Sequence, residues 1–183
     1  MQFTSTKQFS TRPFLVLLFS VMLGACATTN DLDIAALENA EINNFRSPAG
    51  AVLSSGQPTV SQLGIASRAG VKHIINLRTP GEEVDFVEGE VVESLGMNYY
   101  SIPVAGGAGV NAENAASLQS LLDRFDGEPV LIHCATGNRV GALMAMSAAA
   151  GGASIDSAIA EGARWGMTSE GLQGVVRGNL SGN

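Results

Sequence analysis

The sequence predicts a single α/β domain with a mostly parallel sheet of four to five strands flanked by helices. Its 183 residues suit one domain, and a hydrophobic content of 45% is enough to form a core. Short apolar runs, such as Val-Leu-Ile at residues 130–132, alternate with longer segments of helical periodicity. This alternation favours right-handed βαβ units, whose functional site lies beyond the carboxyl ends of the strands.

Each element is predicted from its local pattern. The strand candidates are apolar runs bounded by turn residues, and they cover residues 42–45, 51–54, 71–77, 97–104 and 130–132. The helix candidates have apolar residues at helical spacing, and they cover residues 59–69, 82–95, 111–125, 140–150, 154–164 and 169–177. The run at 130–132 has no polar residue, which is typical of a central strand buried on both faces.

The N-terminus has the pattern of an export signal. Lys7 and Arg12 precede an apolar run at residues 14–23, and the small residues Gly-Ala follow it. The run is much shorter than the ~20 apolar residues that a membrane-spanning helix needs. A plain secretory signal is one interpretation of this pattern.

The tetrapeptide Leu-Gly-Ala-Cys at residues 23–26 favours a more specific interpretation, because it resembles the bacterial lipobox. The resemblance implies that Cys26 becomes the lipidated first residue of the mature protein. Ala27 is not the Asp of an inner-membrane retention signal, so the resemblance implies a periplasmic protein anchored to the outer membrane of a Gram-negative bacterium.

The chain is therefore expected to comprise a signal peptide at 1–25, a tether or loose helix at 26–41, and the domain at 42–183. Loss of the signal peptide removes Lys7 and Arg12 but no acidic residue, which changes the formal net charge from −7 to −9. An acidic protein is a poor ligand for nucleic acid and for anionic membranes, apart from its lipid.

The loop after residues 130–132 carries the residues best suited to catalysis. It joins a strand to the helix at 140–150, so its N–H groups lie at the positive end of the helix dipole and favour an anion. The same field stabilises a thiolate, which makes Cys134 a candidate nucleophile, and Arg139 supplies a fork of donors for an oxyanion. The predicted anion-binding residues between them are Ala135, Thr136, Gly137 and Asn138.

A structural role for Cys134 is the alternative, with Arg139 in a surface ion pair. The chain has two cysteines, and lipidation of Cys26 would leave Cys134 without a disulfide partner. A free thiol in an oxidising compartment is exposed to oxidation, which favours the catalytic interpretation.

The pattern His-Cys-x-x-Gly-x-Arg at residues 133–139 resembles the active-site loop of the cysteine-dependent tyrosine and dual-specificity phosphatases and of the rhodanese sulfurtransferases. The sequence also resembles the phosphatase-like domain of the beta-lactamase-hydrolase-like (Blh) proteins. The resemblance covers about residues 46–166, and its other segments are residues 55–59, 75–78, 102–104 and 141–143. It implies a phosphatase-like fold and Cys134 and Arg139 as catalytic residues.

Two chemistries are compatible with this resemblance. The phosphatases have five residues between Cys and Arg, whereas this chain and the rhodanese-like loops have four. The loop at 105–110 lacks the general acid that dual-specificity phosphatases place there, Glu113 is expected in the next helix, and Val140 replaces the hydroxyl residue that often follows Arg. We therefore expect persulfide sulfur transfer, with phosphomonoester hydrolysis through a phosphocysteine and a non-catalytic anion- or protein-binding module as alternatives.

Three loops are expected to surround Cys134, namely residues 55–59, 78–83 and 105–110. Within them, Gln57 either donates to a substrate or fixes its turn, and Arg78 either binds an anion or pairs with Glu82 or Glu83. His133 is expected to orient the loop by donating to a backbone carbonyl, with direct acid–base work as the alternative. The two histidines form no metal-ligand pattern, so neither a metal nor another cofactor is predicted, and the expected substrate is a small anionic, phosphorylated or persulfidated molecule.

Overall fold

The computed structural model describes residues 1–2, 32–82 and 84–182. The predicted lipidation site Cys26 and all but the first two residues of the predicted signal peptide lie outside this part. None of the helices it contains has the length and apolarity needed to cross a membrane. Its strands are β1 (Arg46–Ala49), β2 (Val52–Ser55), β3 (His73–Asn76), β4 (Asn98–Ser101) and β5 (Val130–His133). Its helices are α1 (Ile34–Asn39), α2 (Val60–Arg68), α3 (Glu88–Ser94), α4 (Ala112–Phe125), α5 (Asn138–Ala150), α6 (Ile155–Arg164) and α7 (Glu170–Ser181).

The five strands form one sheet in the order β1-β2-β5-β3-β4. Strand β5 pairs in parallel with β2 and β3, β3 pairs in parallel with β4, and only the edge strand β1 is antiparallel. The prediction of a mostly parallel sheet in a single α/β domain is confirmed. Every residue of β5 is buried, as expected for the central strand.

The sheet separates two apolar cores. Successive residues of a strand point to opposite faces, so Val130 and Ile132 pack on one side of β5 and Leu131 on the other. The first face is covered by α4, α5, α6 and α7, and the second by α1, α2 and α3. Because the four parallel strands end at the same edge, the loops that follow them meet there.

Local capping signals gave the starts of α2, α4 and α6 correctly. Thr59 caps α2 through a reciprocal capping box with Gln62, and Asn111 and Ser154 cap α4 and α6 with their side-chain oxygens. The last helix is longer than the predicted 169–177 and continues to residue 181.

Two element predictions were wrong. Residues 42–45 are not a strand, because Asn44 has a positive φ of 50°, which interrupts extended backbone. Ile42 is nevertheless buried in the second core. The predicted helix at 82–95 begins only at Glu88, after an N-cap at Val87 in extended conformation. The periodicity of residues 82–87 matched a helix, but tertiary contacts of Glu82 hold the segment as a loop.

The predicted tether also ends earlier than expected. Helix α1 lies within the predicted range 26–41, and its Leu37 is fully buried in the second core. Asp33 caps the helix, and its backbone N–H donates to the carbonyl of Ala69 over 2.9 Å. The packed domain therefore begins before residue 42, because an apolar side chain on α1 is needed to cover this face of the sheet.

We expect Leu37→Ala to lower the free energy of unfolding by about 2–4 kcal/mol, because it removes a buried side chain and leaves a cavity. The exposed neighbour Glu38→Ala is the matched control and should change it by less than about 0.5 kcal/mol. Urea unfolding followed by circular dichroism measures both. Equal, small effects of the two substitutions would show that α1 does not contribute to the core.

Candidate active site

Cys134 lies directly after β5, where the central strand leads into α5. Its side chain is 1% exposed and packs on the same face as Ile132. The backbone N–H of Gly137, the N-cap of α5, donates a hydrogen bond to Sγ over 3.1 Å. Because the N–H groups in the first turn of α5 have no intrahelical acceptors, the positive end of the helix dipole lies beside the sulfur. This environment stabilises negative charge on Sγ.

The loop around Cys134 is held from outside by two asparagines. The side-chain amide of Asn44 donates to the carbonyls of Thr136 and Gly166, both over 2.8 Å. Gly137 has a φ of +83°, and a Cβ there would lie 2.6 Å from the Asn44 amide nitrogen, so only glycine fits.

Asn138 provides the second connection. Its Oδ1 accepts hydrogen bonds from the backbone N–H groups of Thr168 and Ser169, each over 2.7 Å, at the start of α7. Its amide donates to the hydroxyl of Thr136 over 3.1 Å. The side chains of Thr136 and Asn138 are thus engaged in fixing the loop, and only its backbone groups are positioned to bind an anion.

Arg139 lies on the first turn of α5 and is only 8% exposed. Its Nη1 donates to the carbonyl of Val104 over 2.9 Å and approaches that of Leu77 at 3.4 Å. Nη1 and Nη2 also donate to the two carboxylate oxygens of Glu82, each over 2.5 Å. The guanidinium is therefore fixed by the loops that follow β3 and β4.

Glu82 is itself held in a tight turn. Its Oε1 accepts from the backbone N–H of Thr79 over 2.9 Å and from the Thr79 hydroxyl over 3.2 Å, and its own N–H donates to the Thr79 carbonyl. The hydrogen bonds from Arg139 outweigh burial and lower the pKa of Glu82 to about 2. The same pairing raises the pKa of Arg139, with a smaller contribution from Cys134. Both groups are therefore charged at neutral pH.

Another carboxylate, the buried Glu88, lies beside His133 on the other side of β5. Its Oε1 accepts from the amide of Gln57 over 2.7 Å and lies 3.1 Å from Nε2 of the fully buried His133. Its Oε2 accepts from the amide of Asn76 over 2.8 Å. Burial alone would raise the pKa of Glu88, but its contacts with His133 and Gln57 lower it.

Arg78 joins the two carboxylates. Its Nη1 donates to Oε1 of Gln57 over 2.5 Å, its Nη2 to the carbonyl of Glu82 over 2.6 Å, and its Nε lies 3.5 Å from Oε2 of Glu82. Of the two roles predicted for Arg78, pairing with Glu82 is present. The side chain of Gln57 bonds to Arg78 and Glu88, and its backbone N–H donates to the carbonyl of Ala135 over 3.2 Å.

The loop at 105–110 is compact and carries no acidic side chain. A Cβ on Gly109 would lie 2.5 Å from the backbone nitrogen of Ala105, so the turn requires glycine. Asn114 and Asn179 donate to the carbonyls at its end. Glu113 is exposed in the first turn of α4, as predicted. Across the described residues, no three His, Cys, Asp or Glu side chains form a group that could hold a metal ion.

Of the three loops predicted to meet at Cys134, residues 55–59 and 78–83 contact Cys134 or its neighbours Thr136 and Arg139. Among the described residues, the loop at 105–110 is linked to the site only through Val104, the residue before it. The backbone carbonyl of Ser55 accepts from the N–H of Cys134, Gly56 bridges to Thr136, and Glu82 of the second loop pairs with Arg139. The role predicted for His133 was wrong. It was expected to donate to a backbone carbonyl, but its ring lies beside the carboxylate of Glu88.

Sequence reasoning missed two carboxylates of this site. Glu82 was considered only as a partner of Arg78, and Glu88 only as one acid of an amphipathic helix. A usable signal for Glu82 was its position four residues after Arg78, just past the Pro-Gly turn at a strand end. No local pattern marked Glu88.

Comparison with known proteins supports this assignment of the fold. Residues 44–151 match the family model described as "Beta-lactamase hydrolase-like protein, phosphatase-like domain", which is more than half of the chain. No curated protein matches the sequence at a significant level.

Solved structures of phosphatases have the same fold. The "putative phosphatase (DUF442)" of Shewanella putrefaciens CN-32 is 26% identical, with 81% of this chain and 97% of that chain covered and a TM-score of 0.59. The "putative phosphatase" nma1982 of Neisseria meningitidis Z2491 is 22% identical, with 74% and 98% covered and a TM-score of 0.63. TpbA of P. aeruginosa, solved in complex with pTyr, is 20% identical, with 74% and 80% covered and a TM-score of 0.53.

We expect the contribution of Glu82 to stability to depend on pH. Its folded-state pKa of about 2 lies below the ordinary 4.5, so its ionised form stabilises the folded state above about pH 4.5, and this effect is lost as the pH falls toward 2. Glu82→Gln should therefore lower the free energy of unfolding by about 1–2 kcal/mol at pH 7, allowing for solvent screening, and by less at pH 3.

Urea unfolding at pH 7, 5 and 3 measures this difference. Asp85→Asn removes an equal charge from an exposed side chain in the same loop and serves as the control. A deficit of Glu82→Gln that is the same at every pH would show that packing, and not charge, causes it.

Proposed function

The chain belongs to the phosphatase-like domain family of the beta-lactamase hydrolase-like proteins, and we propose that it is a thiolate enzyme that transfers a single sulfur atom through Cys134. The observation that carries the proposal is the absence of a neutral proton donor among the described acids around Cys134. Phosphoryl transfer to this thiolate requires such a donor for most leaving groups, whereas sulfur transfer releases a thiolate that needs none.

The acids around the site support this choice. Glu82 is ionised at neutral pH because its pKa is about 2, and its carboxylate is held by Arg139. Glu88 also has a lowered pKa and lies on the opposite side of β5. The loop at 105–110 offers no acid, and general acid catalysis is typically worth 10²–10⁴-fold.

The small size of the loop is a second argument. Only four residues separate Cys134 from Arg139, and the N–H of Gly137 already donates to Sγ. Because Asn44 and Asn138 fix the outside of the loop, it has little freedom to widen. A sulfur atom bound to Sγ requires fewer N–H groups than the three equatorial oxygens of a phosphoryl group.

The proposed reaction is a two-step exchange. The Cys134 thiolate attacks the outer sulfur of a hydropersulfide R–S–SH, a new S–S bond forms at Sγ, and the original S–S bond breaks to release R–S⁻. An acceptor thiolate then attacks the outer sulfur of the Cys134 persulfide and restores the Cys134 thiolate. No oxidant or reductant is consumed, and the helix dipole and Arg139 stabilise negative charge on Sγ in both steps.

Phosphomonoester hydrolysis through a phosphocysteine is the second candidate. It is favoured by the similar solved structures, which include proteins named as phosphatases and one complex with pTyr. A phenolate is a good leaving group, so an aryl phosphate makes the smallest demand on a general acid. Hydrolysis of an aryl phosphate alone would therefore not distinguish the candidates.

We expect treatment with an organic persulfide to add 32 daltons to the peptide that contains Cys134, and a thiol acceptor to remove this mass. Hydrolysis of a phosphoserine peptide should remain at background. Cys134→Ser should lose both the adduct and turnover. Intact-protein and peptide mass spectrometry, together with a phosphate-release assay, measure these outcomes.

Efficient phosphoserine hydrolysis without a mass adduct would contradict sulfur transfer and support the phosphatase function. Absence of both activities, with a thiol that still reacts with iodoacetamide, would indicate the non-catalytic binding module.

We also propose that the protein is exported and anchored to the periplasmic face of the outer membrane through lipidated Cys26. The support is the sequence pattern at residues 1–26. The intact mass of detergent-extracted protein should correspond to a chain that begins at an acylated Cys26, and Cys26→Ala should abolish this form. An unmodified N-terminus at any other residue would contradict the proposal.

A further inference from the structure

The arginine beside Cys134 is already paired with a carboxylate of the protein itself. Arg139 pairs with Glu82, and Arg78 contacts Glu82 and, through Gln57, is linked to Glu88 on the other side of β5. Glu82 contacts both arginines: its oxygens lie 2.5 Å from the Nη atoms of Arg139, and Oε2 lies 3.5 Å from Nε of Arg78. Among the described residues, the favourable groups that remain for a bound anion are backbone N–H donors, the other edge of the Arg139 guanidinium and the positive end of the α5 dipole, which is equivalent to about half a charge.

Glu82 is held firmly in its contact with Arg139, so an anion that enters the loop does not easily displace it. The turn at residues 79–82 is closed by the bond from its N–H to the Thr79 carbonyl, and Thr79 donates twice to its carboxylate. The end of the Arg139 guanidinium that bears both Nη atoms is therefore occupied by a carboxylate that the protein itself supplies. An anion that enters the loop must bind to another edge of this group, next to a negative charge.

We propose that Glu82 is a specificity-determining residue that makes the site select singly charged anions over doubly charged ones. This deepens the proposed function and rests on it, because it narrows the sulfur donor to an organic persulfide, whose sulfur atoms carry at most one negative charge. Thiosulfate and phosphate monoesters carry two negative charges at neutral pH. The second charge is repelled by the Glu82 carboxylate and has no positive group to offset this repulsion.

The alternative role of Glu82 is positioning alone. If it only holds Arg139 in place, its removal weakens the binding of every anion by a similar factor. If it sets the charge preference, its removal favours the doubly charged anion. The direction of the change in selectivity therefore separates the two roles.

Sulfate and methanesulfonate are suitable probes, since both are tetrahedral oxyanions and they differ by one charge. Each protects Cys134 from iodoacetamide when it occupies the loop, and peptide mass spectrometry measures the alkylation of Cys134. The titrations are run at constant ionic strength on wild type, Glu82→Gln and the control Asp85→Asn. Asp85 is exposed, and its substitution by Asn removes the same charge from the same loop.

We expect wild type to be protected by methanesulfonate at concentrations no higher than those of sulfate. In Glu82→Gln, the half-protecting concentration of sulfate should fall at least about fivefold relative to that of methanesulfonate, because one opposing charge at contact distance is removed. Asp85→Asn should change this ratio by less than about twofold because of screening.

A wild-type preference for sulfate of tenfold or more would overturn the proposal without reference to any variant, which also covers a Glu82→Gln protein that fails to fold. An unchanged ratio in Glu82→Gln would overturn it too. The experiment involves no turnover, so its failure is distinguishable from failure of the persulfide-loading experiment.

Discussion

The burial of the Arg139 guanidinium is the constraint on which the rest of the site depends. A charged group that is 8% exposed is stable only with an anion and hydrogen-bond acceptors beside it, and Glu82 and the carbonyl of Val104 provide them. These partners come from the loops after β3 and β4, and Arg139 itself comes from the helix after β5. The pair thus joins the carboxyl ends of three parallel strands at one point.

The position of Cys134 follows from the same topology. Because β5 is the central strand, its end is surrounded by loops on both sides, and the helix that follows it directs its N-terminus back to the sulfur. Asn44 and Asn138 then fix the loop against the turn before α7 and the start of that helix. Small residues allow this packing: a Cβ on Gly141 would lie 2.4 Å from the carbonyl of Gly162 on α6.

The sequence was sufficient for the features that depend on neighbouring residues. Helix caps such as Thr59 and Asn111, the apolar central strand and the loop from Cys134 to Arg139 all have local patterns. Glu82 could not be assigned in this way, since its main partner is 57 residues away along the chain. Its periodicity with residues 84–95 matched an amphipathic helix, but the energy gained by pairing a buried arginine exceeds the weak preference for helix at this position.

The nucleophile by itself does not decide between sulfur and phosphorus chemistry, since a thiolate at a helix N-terminus serves both. The difference lies in the supply of protons and charge around it. A phosphate ester demands a proton for its leaving group and positive charge for two negative charges on its oxygens. Among the described residues, the carboxylates of Glu82 and Glu88 are ionised, and the arginine next to the thiolate is already paired. A persulfide makes neither demand, because its sulfur atoms bring at most one negative charge and its organic part is released as a thiolate. The Glu82–Arg139 pair that permits burial of the guanidinium therefore also limits the charge that the site can accept.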